Sequence, residues 1–475
     1  MSICCTYGGM TSSGMIKTVL VRTLVGLVLA YLPVAVAEPG DGEGLQGPEV
    51  VCAASDTKDA LKRHAKYVCD AADARPKLQA AINEAARLGV RCLLLKGTYV
   101  LDSRGEMSPK GCLYFPNRTP EGKVYAHNGS QFNVLEGATM PLGWLGGVQL
   151  LMGRNLYDSI RDDETFSLLY CVGHSIFGRA WKLRNLAIRL PDTQKPVVAV
   201  DGRFASALEY ENLWVSGFDP REVDYRSATG IKMPHPRSVG IRGCAGSNYY
   251  AMTTWRNLAV DGFGTGFDIG GEHVYCESLS ALYNVYGFAF DCYKGKKSIN
   301  LDDSAKACGG CHYPVTCVNL LDEHNVHMPR FGVASHGGVE SIHPNGRQSI
   351  TIRGMNIQWP NTCPGHTDRR HPDFLKGRHR ATEELPGTWR GTVEYVIDWT
   401  TPGCGVNLVN DPFFEKGHGD NVVCRNLQCK PAGTSNERRA ITRPNRLQQF
   451  FDTDLGKMLV FDGASWRDGN GMEVK

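Results

Sequence analysis

The sequence predicts an all-β chain wound as a solenoid of short parallel strands, and three observations carry that prediction. An amphipathic helix runs directly into a strand near residue 90. Short strands centred on asparagine recur through the middle of the chain. A second echo, Gly-Phe, follows them at a matching interval. The 475 residues, 42% of them hydrophobic and 21% charged, suffice for a large buried core, which excludes disorder as the default.

At the N-terminus, Lys17 and Arg22 precede an apolar run from Thr23 to Leu32, and Ala35-Val36-Ala37 supplies small residues beyond it. This is the three-part pattern of a secretory signal peptide, with Met15 a candidate start and cleavage expected after Ala37. The run is short for a bilayer span, and no later segment is apolar enough to make one, so a secreted, periplasmic or extracellular protein is predicted. The predicted organisation is a signal peptide over 1–37, an N-terminal leader over 38–72, the solenoid with its helix over 73–445, and a C-terminal hairpin over 446–475. Fifteen of the 17 cysteines lie beyond Ala37, which in an oxidising compartment predicts several disulfides of open connectivity. With 52 basic against 49 acidic residues the net charge is only +3, and no Lys/Arg block occurs, so no general nucleic-acid binder is expected.

Leu78, Ala81, Ile82, Ala85 and Leu88 recur at helical spacing, after which Val90 to Leu95 reads as a compact strand ending at Gly97. This helix, followed by Gly97-Thr98-Tyr99, resembles the N-terminal cap of the pectate-lyase-like superfamily, the pectin-lyase fold. That resemblance implies a single-stranded right-handed parallel β-helix whose end is plugged by the capping helix.

The repeats run through Arg184-Asn185-Leu186, Glu211-Asn212-Leu213, Arg256-Asn257-Leu258 and Arg425-Asn426-Leu427. Looser copies are Val318-Asn319-Leu320 and Gly354-Met355-Asn356. In a solenoid such residues stack, and their amides can hydrogen-bond along the ladder. Gly266-Phe267-Asp268 is echoed by Gly287-Phe288-Ala289 and by Phe331-Gly332-Val333. Segments 220–236, 294–310 and 361–387 read as loops thrown out from the stack, where binding and catalysis usually sit. At the end, Phe451-Asp452-Thr453-Asp454-Leu455-Gly456-Lys457 with Gly463-Ala464-Ser465-Trp466-Arg467-Asp468 resembles the closing hairpin of many phage tail proteins, with Asp454 where Thr is usual. A homotrimer is expected only by that analogy.

Stacked strands lie about 4.8 Å apart. Acids one or two strands apart can therefore match the roughly 5 to 5.5 Å of retaining glycosidases or the roughly 6.5 to 9.5 Å of inverting ones. Three candidate clusters follow: Asp261 and Asp268 with Glu272 and His273; Asp291, matched by His336; and Asp322, Glu323 and His324. Within them one carboxylic acid would protonate the leaving oxygen, another would activate water or attack the sugar, and His273 or His324 would orient a carboxylate. Trp214, Trp255, Tyr249, Tyr250, Tyr283 and Tyr286 are candidate sugar-stacking platforms.

Other signatures are weaker. Gly417-His418-Gly419 and Asp302-Asp303 copy pieces of polygalacturonases at the wrong separation. Cys308-Gly309-Gly310-Cys311-His312 has the c-type haem spacing, but in a Cys-rich loop it equally fits a disulfide, and with Cys317 a zinc site. No cofactor is expected, with Ca²⁺ reserved for a lyase mechanism. The sequence thus points to a secreted protein that degrades a polysaccharide, by hydrolysis in the first instance, with a polysaccharide lyase or a non-catalytic glycan-binding surface protein as alternatives.

Overall fold

In the computed structural model, the described residues are 49–105, 111–115, 133–141, 146–171, 181–202, 208–219, 232–243, 253–270, 273–293, 315–325, 330–334, 348–358, 384–385, 391–400, 422–425, 432–439 and 449–475. From Trp181 the chain alternates between two parallel sheets. The long sheet takes Trp181–Arg189, Glu209–Ser216, Thr253–Asp261, Val274–Leu282, Val315–Glu323, Gln348–Gln358 and Gly391–Thr400 as successive neighbours. The intervening Val197–Asp201, Val239–Arg242, Thr265–Asp268, Tyr286–Tyr293 and Arg330–Ala334 pair in order in the short sheet. Long parallel sheets with few helices are compatible with an all-β parallel solenoid.

A corner inside each long strand explains the asparagines. In Thr253–Asp261 the buried positions are 253, 255, 258, 260 and 261, so strict alternation breaks at Asn257. Asn257 has φ 52°, and Asn185, Asn212, Ser278, Asn319 and Gly354 repeat that left-handed backbone at the matching positions. Asparagine and glycine adopt this region at least cost. The expected ladder is present: Asn212 Nδ2 donates to Asn185 Oδ1 at 2.9 Å, and Asn257 Nδ2 to Asn212 Oδ1 at 3.2 Å. Asn319 Nδ2 donates instead to Ser278 Oγ at 3.0 Å. Asn356, taken from sequence as a ladder member, pairs with Leu321; Gly354 holds the corner because a φ of 71° suits it better.

Inward residues stack as columns. Leu186, Leu213, Leu258, Leu279, Leu320 and Met355 form one, all buried. Another carries Tyr210 and Trp255 at 5.7 Å between ring centroids, and Trp255 reaches Phe267 of the short sheet at 6.3 Å. Phe267 stacks on Phe288 at 5.4 Å as its register neighbour, as the first two Gly-Phe segments predict, whereas the third copy is shifted, with Phe331 opposite Phe290 and Gly332 opposite Asp291.

The predicted helix is Arg75–Leu88, with Pro76 in its first turn and Gly89 ending it at φ 70°. Leu78, Ala81, Ile82 and Ala85 are buried, and the helix packs against Glu49–Ala53, Arg91–Leu94 and Gly111–Phe115. Gln79 ties it down by exchanging two hydrogen bonds with the Tyr114 backbone, at 2.9 and 2.8 Å. Within the segment read as a leader, Glu49–Ala53 and Tyr67–Val68 are strands of the long sheet. Likewise Glu384–Leu385, inside a predicted loop, pairs with Phe331–Gly332. The other predicted excursions, and the signal segment, fall wholly or mostly outside the described residues.

The C-terminal segment forms a separate five-stranded sheet, antiparallel from Gln449–Asp452 through Lys457–Phe461 and Trp466–Asp468 to Glu473–Val474, with Ala432–Gly433, from within the span predicted as solenoid, added in parallel to Gln449–Asp452. Its turn at Asp462-Gly463 is the predicted one, with Gly463 at φ 106°.

Candidate functional site

The sequence-predicted acids fall at different places in the two sheets. Asp268 ends its short-sheet strand, in register with Arg242, which is in register with Asp201. Arg242 Nε donates to Asp268 Oδ2 at 2.9 Å, Ser167 Oγ donates to Asp201 Oδ2 at 2.7 Å, and all three charged residues are at most 5% exposed. An ion pair so enclosed serves the packing of the strand ends more directly than it serves a bound chain. Asp322 takes an inward position, aligned with Val260 and Ala281, and accepts from Asn325 Nδ2 at 2.9 Å in the core.

Glu323 and His324 do meet. Glu323 Oε1 lies 3.4 Å from His324 Nε2, and the imidazole stacks on Tyr283 at 4.9 Å with 5° between the planes. Tyr283 and His324 both have φ 55°, so this stacked turn is built on two residues in a left-handed backbone. Asp268 and this group end strands of different sheets, and the short-sheet strand Arg330–Ala334 begins only after His324. His273 is exposed, with φ 52°, just before Val274. Asp291 lies opposite Gly332, so the expected match of Asp291 with His336 is corrected: the paired strands sit four residues away from the register that the Gly-Phe echo suggested. Glu272, His336, Asp302, Asp303, Cys308, Cys311, His312 and Gly417-His418-Gly419 lie outside the described residues.

Two expectations need correction. Trp255 and Tyr283 are buried and cannot meet a sugar, because their strand or turn positions point them into the stack. The cysteines 52, 69, 92, 112, 276 and 317 are buried thiols, with no pair at disulfide distance among the described residues; they fill core positions as small apolar side chains. The Cys52 and Cys69 sulfurs lie 3.4 Å apart. Among the described residues there is also no group of three or more metal-ligating side chains, and no helix long and apolar enough to cross a membrane.

The outer face of the long sheet carries one predicted platform, Trp214, and a charged ladder that the sequence reading missed. Trp214 is half-buried there, flanked in register by Ala187 and Ala259, so neither neighbouring strand sets bulk beside it at that position. Its indole Nε1 donates to Asp261 Oδ2 at 3.1 Å, while Ser216 Oγ donates to Asp261 Oδ1 at 2.6 Å. Asp261 is fully buried and fixes the ring's orientation. One strand segment away runs a charged ladder: Glu136, Arg184, Glu211, Arg256 and Glu277 are successive register partners.

No protein-family model matches this chain, and no curated protein matches it. The outer face therefore has to be read from its own chemistry. Arg184 Nε lies 3.2 Å from Glu211 Oε2, and Arg256 Nε lies 3.4 Å from Glu277 Oε2. Glu209 bonds both Lys182 and Arg184. Burial pushes the Glu209 carboxyl up, but those two cationic partners outweigh it and hold the group below the ordinary carboxylate range. The ladder was legible in principle as Arg184, Glu211, Arg256 and Glu277, each one residue before a corner residue; only the register reveals that the signs alternate.

Proposed function

We propose that this protein is a secreted, glycan-binding right-handed β-helix of the pectate-lyase-like kind, with the helix Arg75–Leu88 as its cap, and that polysaccharide lies along the outer face of the long sheet. The observation that carries this reading is Trp214. A half-exposed indole, its N–H pinned by a buried carboxylate and its register neighbours reduced to alanine, is a rigid platform for the apolar face of a sugar ring. The adjoining carboxylates and guanidinium groups offer acceptors and donors to sugar hydroxyls. In favour of the fold assignment are the parallel pairing, the asparagine corners and the alternation between sheets.

A hydrolytic reading is favoured by one feature of the same face. Glu211 and Glu277 flank Arg256 two strands apart, about 9.6 Å at the backbone, near the upper end of the spacing that inverting glycosidases use. The buried Asp268 and Asp322 are poorer candidates, since each is enclosed and already bonded.

The test is incubation of the protein with neutral and acidic polysaccharides, following binding, new reducing ends and ultraviolet absorbance together. Binding that Trp214→Ala weakens about tenfold or more is expected, at roughly the strength of a lost stacking contact. Reducing ends that Glu277→Gln abolishes would establish hydrolysis. Unchanged binding in the Trp214→Ala protein would remove the platform from the reading.

A further inference from the structure

We infer that the glycan taken by this face is an uncharged one and not a polyuronate; the inference rests on the glycan-binding reading above and narrows its ligand. Five consecutive strands present Glu136, Arg184, Glu211, Arg256 and Glu277, so the sign of charge changes at every strand. Carboxylates recur at every second strand, about 9.6 Å apart. The cations are already engaged: Arg184 with Glu209 and Glu211, Lys182 with Glu209, and Arg256 with Glu277. With Arg91, which pairs with Glu49 and Glu136, and the exposed Arg353 further along the same row, Arg91, Lys182, Arg184, Arg256 and Arg353 stand against Glu49, Glu136, Glu209, Glu211 and Glu277, five cations against five carboxylates.

A polyanion binds through a surplus of positive charge, and its affinity collapses as salt screens that attraction. This face offers no surplus. A uronate chain laid across the strands would meet a carboxylate at every second one and would have to displace existing ion pairs to reach a guanidinium. An uncharged sugar meets no such opposition: its hydroxyls donate to the outer lone pairs of Glu211 or Glu277, its oxygens accept from guanidinium N–H groups, and its apolar face takes Trp214. Elimination chemistry, which needs a uronic carboxyl beside the proton that is removed, would then have no substrate on this face.

The experiment is affinity electrophoresis of the full chain through gels containing polygalacturonate, its fully methyl-esterified form, or neutral galactan, xylan or mannan, at about 20 and about 500 mM salt. The expected result is retardation by a neutral polymer that changes less than about twofold with salt, with polygalacturonate at least about tenfold weaker than its ester. The triple variant E209Q/E211Q/E277Q should gain polygalacturonate binding at low salt. Tightest binding to polygalacturonate, falling about tenfold at high salt, overturns the inference alone, as does the absence of any gain in the triple variant. Retardation by no polymer overturns the glycan reading and this inference together.

Discussion

The parallel sheets and the C-terminal sheet solve the problem of a core in opposite ways. In the parallel sheets each inward side chain rests between similar ones on the strands before and after it, as Leu258 does between Leu213 and Leu279. Among the described residues, the C-terminal sheet buries Phe450, Leu459 and Trp466 in its apolar cluster, with Phe461 and Val474 partly buried against it. What it has in addition is a buried charged hub. Arg438 Nε donates to Asp452 Oδ2 at 2.9 Å, and its other nitrogens donate to the Val474 and Lys475 carbonyls at 3.2 and 2.7 Å. Asp452 also accepts from Ser435 Oγ and from the Asp454 and Leu455 amides. Repetition distributes stability over many equivalent contacts, whereas the hub concentrates it in one guanidinium.

That contrast is most severely tested at Arg438. Arg438→Ala leaves Asp452 buried without its cation and frees the last strand. Amide protection in Gln449–Asp452 and Lys457–Phe461 is expected to fall by on the order of a hundredfold, with protection in Thr253–Asp261 unchanged. Equal losses in both regions by hydrogen exchange would show that the C-terminal sheet is not energetically separate.

A smaller effect is expected at a corner of the parallel sheets. Asn257→Ala keeps a β-carbon in the left-handed backbone without the polar side chain that eases that conformation, and deletes one rung of the ladder, for a loss of about 1–2 kcal/mol. Asn257→Gly relieves the backbone cost and should fall clearly below that in denaturant titrations. Were the two variants equally destabilised, the rung and not the backbone would be the source of stability at this corner.

The smallest effect is on the outer ladder. The depressed Glu209 carboxyl contributes stability that is present above its unfolded value near 4.5 and is lost as pH falls through its lower folded value. The Glu209 side chain is partly buried, 23% exposed, and solvent still screens its two ion pairs, so Glu209→Gln should remove about 1 kcal/mol or less at neutral pH. The difference from the parent should vanish in strong acid. A constant difference at all pH values would point to packing and not charge.

How much of this was legible in the chain depended on whether the signal was local. The helix Arg75–Leu88, the Asp462-Gly463 turn and the asparagine corners follow from short-range rules of periodicity and backbone preference, and the sequence determines them by itself. Stacking of Phe267 on Phe288 was readable too, because only one coil, with the single strand Val274–Leu282, separates them. Tertiary structure alone decided which way a residue faces once each corner had shifted the alternation: Asp322 turns inward, Trp255 enters the core, and Trp214 stays outside. It alone also decided that Asp268 meets Arg242 and that Glu211, Arg256 and Glu277 share one row, since loops of unequal length set the register and register is a property of paired strands.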